Sequence, residues 1–328
     1  MPPLALVTGS TGCVGANVVA ALLERGYAVR ALHRATSTTD ALDGLDPEPA
    51  IGDVLDPPSL VAAMHGCTLV FHVAAISDYW RTPAEHIYRV NIEGTRNVLA
   101  AAEETGVERV VYTSSVGALG IPQPGRLLDE SATFNLPPNR FVYGHSKHLA
   151  EQVVQEAIAR GLDAVIVNPA SVMGARDVHW IGGSLLRAVQ RGLAWLAPPG
   201  GLNWVDAETV GLGHILAAER GRTGDRYILG GENISHRAAL ETVAGVVGGR
   251  RPLATLPRPL MSLVAWLTDG VNTLKPEAPL FSGEQARLSA ANIYCDCRKA
   301  QQELGLPIVP FRVAVERAYT WYRAHGYL

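Results

Sequence analysis

The chain has 328 residues, 48% of them apolar and 18% charged, with a formal charge of −3. That is enough apolar chain for a large core, and a charge this near neutrality excludes a broad basic field for nucleic acid or a strongly acidic tail. Cys13, Cys67, Cys295 and Cys297 form no CxxC pair and no His/Cys cluster, so they read as reduced thiols of an intracellular, cytoplasmic protein without a metal site.

The first half alternates β-rich runs with helical stretches. Strands are expected at 4–9, 27–34, 49–54, 68–75, 108–115 and 163–170, and helices at 14–25, 57–65, 83–105 and 141–160. The first strand begins too early to leave room for a signal peptide, and the apolar run at 260–268 is too short to span a bilayer, so no membrane partner is expected. Alternation of this kind implies βαβ units and a doubly wound parallel sheet of the Rossmann type, covered on both faces. After Pro169 the rhythm changes. Helical runs at 182–192, 207–220, 236–248, 259–274 and 311–325 alternate with Pro/Gly-rich connections. The expected organisation is a dinucleotide-binding domain over 1–170 and a smaller, mostly helical substrate lobe over 171–328, interleaved with the sheet through strands such as 226–231.

"TGSTGCVG", Thr8 to Gly15, follows the first strand and opens the first helix. Its three glycines, Gly9, Gly12 and Gly15, allow a tight turn and let the backbone of Thr11, Cys13 and Val14 approach a pyrophosphate at the helix N-terminus. An NAD site usually carries an acid at the end of the second strand, but here that strand ends Leu32-His33-Arg34. An arginine there pairs with a 2′-phosphate, with Thr36 or Ser37 assisting, so NADP(H) is favoured and NAD(H) remains possible. The bland alternative makes Arg34 a solvated surface charge. Asp53, after the third strand, could accept a hydrogen bond from adenine N6 while Val54 covers the ring; a simple turn-forming role is equally open. In "HVAA", Ala74 and Ala75 suit a backbone that passes close to the cofactor, and His72 reads as packed structure.

Tyr143 and Lys147 lie four apart in a predicted helix, so both can face one cleft. The chain has three lysines against twenty-five arginines, and a compact ammonium does what a planar guanidinium cannot. It lowers the phenol pKa from about 10 toward a usable range and can bond a ribose. Ser114 and Ser115 end the fifth strand, at the edge where ligands of open parallel sheets bind.

In this order the motifs resemble the short-chain dehydrogenase/reductase superfamily, in its extended branch. "TGSTGCVG", "GDV", "HVAA", "VNIEGTRNVL", "VVYTSS", "YGHSK" and "VNPASVMG" span most of the chain. The resemblance implies catalytic roles for Ser115, Tyr143 and Lys147. It also implies a nicotinamide contact along Pro169, Ala170, Ser171 and Val172, a helix-shaping role for Asn91, and homodimerisation through the helix of Tyr143. Within the branch the chain is similar to dihydroflavonol-reductase-like proteins and hopanoid-associated sugar epimerases, whose arginine after the second strand matches Arg34. Two parts of a nucleotide-sugar grip are missing. Asp206 stands where a histidine is usual, and Arg287 lacks the Gly-Asp that usually follows. Trp180, Trp195, Trp204, Met173 and the 259–268 helix point instead to a hydrophobic pocket. The favoured expectation is carbonyl–alcohol interconversion on a small apolar or aromatic substrate. The alternative is an NAD-dependent nucleotide-sugar epimerase or dehydratase.

Overall fold

The structure is a computed structural model that describes residues 2–274 and 283–328. The strands are β1 (Leu4–Thr8), β2 (Ala28–His33), β3 (Glu48–Ile51), β4 (Leu69–His72), β5 (Arg109–Thr113), β6 (Ala164–Pro169), β7 (Ser171–Met173), β8 (Leu196–Ala197), β9 (Gly201–Asp206), β10 (Arg226–Leu229), β11 (Glu232–Ser235), β12 (Ala254–Thr255) and β13 (Asn292–Ile293). The helices are α1 (Cys13–Glu24), α2 (Pro57–Met64), α3 (Ala84–Tyr88), α4 (Gly94–Thr105), α5 (Val142–Ala159), α6 (Ser184–Gln190), α7 (Ala207–Arg220), α8 (His236–Val247), α9 (Arg258–Leu274), α10 (Gly283–Leu288) and α11 (Phe311–Ala324).

Seven parallel strands form the main sheet in the order β3-β2-β1-β4-β5-β6-β10. Central strands such as "AVIVNP" are buried along their whole length, as a sheet covered on both faces demands. On one face α1 and α7 bring Val18, Leu22, Val210 and Ile215 against Val7, Phe71 and Val167. On the other, α2, α4 and α5 bring Leu60, Val98, Leu99 and Val154 against Leu6, Val70 and Ile166. The strand order reverses between β1 and β4, so the crevice at their carboxyl ends is the natural ligand site of this topology.

The chain returns to the main sheet after residue 200, because α7 packs on α1 and β10 extends the edge beside β6. A second sheet is centred on β9, which pairs antiparallel with β11 and parallel with β7 and β13. Its core is Met173, Leu186, Trp204, Leu240, Phe311 and Tyr322, contributed with α6, α8 and α11. A two-stranded ribbon, β8 with β12, leads into α9.

Three expected elements differ in detail. The helix expected over 83–105 contains a π-helical turn at Arg89–Glu93 between α3 and α4, a local irregularity of the kind that recurs at functional sites. The strand expected over 163–170 ends at Pro169, and the chain then pairs with β9 as β7. The strand expected over 226–231 ends at Leu229 as β10, and β11 follows it in a different sheet. The short strands β7, β8, β9, β12 and β13 were not expected at all. They run two to six residues, and the longest, β9, is buried on both faces and shows no alternation.

His72 and His214 are fully buried and hydrogen-bonded on both ring nitrogens. His72 lies between the Thr8 and Thr95 hydroxyls at 2.8 and 3.1 Å. His214 Nδ1 donates to the Val210 carbonyl at 2.7 Å, so its Nε2 accepts from Thr113 at 2.8 Å. Burial depresses both, to about 3 and about 4, with the Lys147 charge adding to the effect on His72. The unfolded chain therefore binds more protons than the folded one below pH 6.5. Stability is fully present above that pH and falls as the solution is acidified toward 4, by about 1.4 kcal/mol per pH unit for each histidine. Urea midpoints across this range, with His214→Gln giving a shallower slope than the wild type, check the assignment; an identical slope contradicts it.

Candidate active site

A cavity of about 740 Å³ opens at the carboxyl ends of β1, β4, β5 and β6, and it brings the glycine loop, Arg34, Ser115, Tyr143 and Lys147 together. The other expected cofactor contacts line it too: Thr11, Cys13, Val14, Asp53, Val54, Ala74, Ala75, Pro169, Ser171 and Val172.

The three glycines have different reasons to be glycine. Gly9 has φ +65°, and a Cβ there would sit 2.7 Å from the Ala74 backbone. A Cβ on Gly15 would strike the Gly9 carbonyl. On Gly12, the N-cap of α1, a Cβ would meet only the Gly9 oxygen at 3.5 Å, an ordinary contact. The protein itself leaves room at Gly12, and the room opens on the cavity. The first turn of α1 has no acidic residue and its cap offers no side-chain acceptor, so its free N–H groups remain available to an anion. The Cys13 thiol donates to the Ala175 carbonyl at 3.6 Å and burial pushes its pKa up, which leaves it unreactive.

Thr8 shapes the neighbouring wall: its hydroxyl accepts from the N–H groups of Val73 and Ala74, both at 3.1 Å, and draws the end of β4 beside the loop. Arg34 is exposed at the end of β2 and its guanidinium has no ion pair or hydrogen bond among the described residues. Ser37 lines the cavity with it, and Thr36 does not. Asp53 accepts the Leu55 N–H at 2.9 Å through Oδ1, an Asx turn that places Val54 under Gly94.

Asn91, in the π turn, accepts the Ile76 N–H at 2.8 Å and donates to the Ile76 carbonyl and the Ser146 hydroxyl. It thereby ties the loop after β4 to α5. On α5, Tyr143 lines the cavity and Lys147 lies beneath it, only 2% exposed. Lys147 Nζ donates to the Thr113 carbonyl at 2.6 Å and lies 3.4 Å from the Tyr112 hydroxyl, over the Tyr112 ring. Burial lowers its pKa to about 7, opposed by the nearby Glu151 carboxylate. Tyr143 departs from expectation. Burial raises its phenol above the ordinary value, and the opposing pull comes from a hydrogen bond with Ser115, not from the lysine. The expected depression of the phenol pKa by Lys147 is thus absent here: burial is the larger influence, and Lys147 is not among the groups that shift the phenol.

Ser115 Oγ also accepts the Gly117 N–H at 3.1 Å. Ser114 Oγ is buried without a partner among the described residues. The serine that meets the tyrosine is Ser115.

Around Tyr143 stands an aromatic group that the sequence reading missed. Tyr79 lies nearly parallel to the Tyr143 ring at 6.4 Å, and it meets Trp80 and Phe141 edge-on at 5.4 and 5.3 Å. The signal was present as "DYW" after "HVAA" and as Phe141 two residues before Tyr143. Of the aromatics expected to line a pocket, only Trp204 does. Trp180 instead stacks on Tyr322 at 4.2 Å under Arg187, Met173 is core, and Trp195 is 61% exposed. Asp206 caps α7 through Thr209 and pairs with Arg317 at 2.7 Å. Arg287 pairs with Asp269 and Glu284 and does not line the cavity.

A Rossmann sheet with a glycine-rich turn, an anion-ready helix N-terminus and a Ser-Tyr-Lys group at one crevice defines an NAD(P)-dependent oxidoreductase of the extended short-chain dehydrogenase/reductase type. Residues 5–230 match the family described as NAD dependent epimerase/dehydratase, and the chain belongs to it. A protein of Synechocystis named for dihydroflavonol 4-reductase is 41% identical, covering 98% of this chain and 95% of that protein. The sterol demethylase protein B of Methylococcus capsulatus is 34% identical, covering 98% of each. The crystal structure of gox2253 superposes with a TM-score of 0.86 at 36% identity, again over 98% of each chain.

The glycine geometry sets a direct contrast. Gly12→Ala is expected to fold with a thermal midpoint close to that of the wild type and to bind dinucleotide about tenfold or more weakly, whereas Gly9→Ala, with its positive φ and backbone clash, is expected to lose stability itself. Thermal melts alongside fluorescence titrations separate the two; equal binding by Gly12→Ala and the wild type would count against the loop as a phosphate cradle.

Proposed function

We propose that the chain is an NADP(H)-dependent oxidoreductase that interconverts a carbonyl and a secondary alcohol on a small, largely apolar or aromatic substrate. The observation that carries the reading is the company Tyr143 keeps. Ser115, the buried Lys147, Tyr79, Trp80, Phe141 and Trp204 line one cavity with it, Tyr79 nearly parallel to its ring, and Arg34 is the only guanidinium lining that cavity among the described residues. A diphosphate on the substrate side would have no arginine to meet it, and Asp206 and Arg287 are engaged elsewhere. The relatives are named for a dihydroflavonol, an aromatic ring system, and a sterol, an alicyclic one.

The loop from Gly9 to Gly15 would hold the pyrophosphate and Arg34 with Ser37 the 2′-phosphate. Asp53 and Val54 would border the adenine, Ala74 and Ala75 would pass close to the dinucleotide, and Pro169 to Val172 would meet the nicotinamide. When bound, the dinucleotide supplies or accepts the hydride. The protein does the rest. Ser115 Oγ positions the substrate oxygen, and Tyr143 donates its phenolic proton to that oxygen as negative charge builds there. Burial keeps the phenol protonated, the form in which it can donate. Lys147, poised near neutrality, can return a proton to the phenolate and hold the ribose.

The test is a titration with NADPH and NADH followed by an NADPH-dependent assay on aromatic and alicyclic ketones. Arg34→Ala should lose about tenfold or more in NADPH affinity and leave NADH unchanged. Tyr143→Phe should bind NADPH normally and lose about 10²- to 10⁴-fold in turnover. Tightly retained NAD, no preference for the 2′-phosphate and conversion of a nucleotide sugar without net redox change would replace this reading with that of an epimerase.

A further inference from the structure

Thirteen large hydrophobic side chains are strongly exposed among the described residues, and nine of them fall between 193 and 271. Four stand at the β8/β12 ribbon: Leu193, Trp195, Leu196 and Leu253, from 46% to 79% exposed. The ribbon is closed by Leu253 N–H donating to the Trp195 carbonyl and Leu256 N–H to that of Ala197, and it runs directly into α9. There Leu260, Leu263, Trp266, Leu267 and Val271 are exposed. At about 100° per residue these five sweep an arc of roughly 140°. The buried side of the same helix, Met261 and Ala265, packs against Ala286 of α10. The polar residues of α9, Arg258, Ser262, Thr268, Asp269, Asn272 and Thr273, fall by helical spacing on the arc away from these five.

The charges left without a partner around this surface, among the described residues, are arginines. Arg191, Arg250, Arg251 and Arg258 are exposed, and none makes an ion pair or side-chain hydrogen bond among the described residues. No acid occurs in 191–200 or 249–268, and Asp269 is taken up by Arg287. Large apolar side chains exposed in this number on two successive elements are what marks an interaction surface.

We infer that the ribbon and α9 form a docking face for the surface of an anionic lipid bilayer. Apolar side chains with a tryptophan on one sector, flanked by arginines, are what lets a helix lie in the interface with its apolar face among the acyl chains and its cations at the headgroups. A second copy of the chain is a poorer occupant. An isologous contact would bring the same four unpaired guanidiniums of both protomers to one interface. The face lies on the surface and does not span: no helix among the described residues is long and apolar enough to cross a membrane. It therefore departs from the expectation of no membrane partner in one respect only. The docking face stands whatever the substrate is. If the apolar-substrate reading also holds, the face sits one helix layer from the cavity, because Gln285, Leu288 and Ser289, on and just after α10, line it.

Flotation of the full-length protein with vesicles of phosphatidylcholine alone, or of phosphatidylcholine with phosphatidylglycerol, tests this. The protein should float with the anionic vesicles, bind the neutral ones about tenfold less, and be released by salt. Leu263→Asp with Trp266→Asp should abolish flotation while circular dichroism, melting midpoint and NADPH binding stay as in the wild type. Arg250→Glu with Arg251→Glu should reduce only the anionic preference. Wild-type protein that stays unbound with both vesicles overturns the proposal, as does equal flotation with both. A solution dimer that Leu263→Asp dissociates, without vesicle binding, would assign the face to a second copy instead.

Discussion

Two opposite charges are buried one helical turn apart on α5, and the site is built on them. Lys147 and Glu151 are 2% and 1% exposed. An unpaired charge at such depth costs several kcal/mol, so each must be held by partners the fold supplies. Lys147 reaches the last carbonyl of β5, at Thr113. Glu151 accepts from Asn168 on β6 at 2.7 Å and faces Arg226 on β10 at 2.9 Å. Asn168 donates in turn to the Ser115 carbonyl at 3.0 Å. The helix that carries Tyr143 is thus pinned to three adjacent strands, and the segment that carries Ser115 is fixed by the same network. Arg226 comes from beyond residue 200, so the later part of the chain helps set the geometry of a site laid out by the first half.

The same economy of polar partners shapes the rest of the crevice. Thr8 places one hydroxyl against the N–H groups of Val73 and Ala74, which brings the end of β4 against Gly9, where a Cβ would clash. Asn91, set in a π turn, spends its amide on Ile76 and Ser146. Aromatic rings stand beside Tyr143. The outcome is a site with backbone donors for an anion at one end and a cluster of aromatic rings at the other. Between them stands a phenol that burial keeps protonated.

Much of this could be read from the residues. Buried runs such as "LALVT" and "AVIVNP", the glycine loop and the Tyr-x-x-x-Lys spacing are local signals with a local physical cause; the structure makes the runs core strands and places the loop glycines, Tyr143 and Lys147 in one cavity. What stayed hidden depends on contacts distant in sequence. Of the strands of the second sheet, β9 is buried on both faces and shows no alternation, and β7, β11 and β13 run only two to four residues. Tyr79, Trp80 and Phe141 look like ordinary loop aromatics until the fold gathers them. Trp180 and Trp195 look like pocket residues until one is seen stacked in the core and the other exposed on a ribbon. The lysine's expected effect on the phenol failed for a different reason. Spacing gives adjacency, but the sign of a pKa shift depends on how much water the fold removes.

The most direct test of this account is the titration of Lys147 itself. The chain has three lysines, Lys147, Lys275 and Lys299, so a spectrum of side-chain ¹⁵N-labelled lysine, assigned with Lys147→Met, resolves it. The account predicts one ammonium that titrates near 7 in the cofactor-free protein and shifts lower still in Glu151→Gln, which removes the carboxylate that supports it. Three lysines that all titrate near the ordinary value of about 10.4 would show that Lys147 is not held in a desolvated site, and would contradict the account at its base.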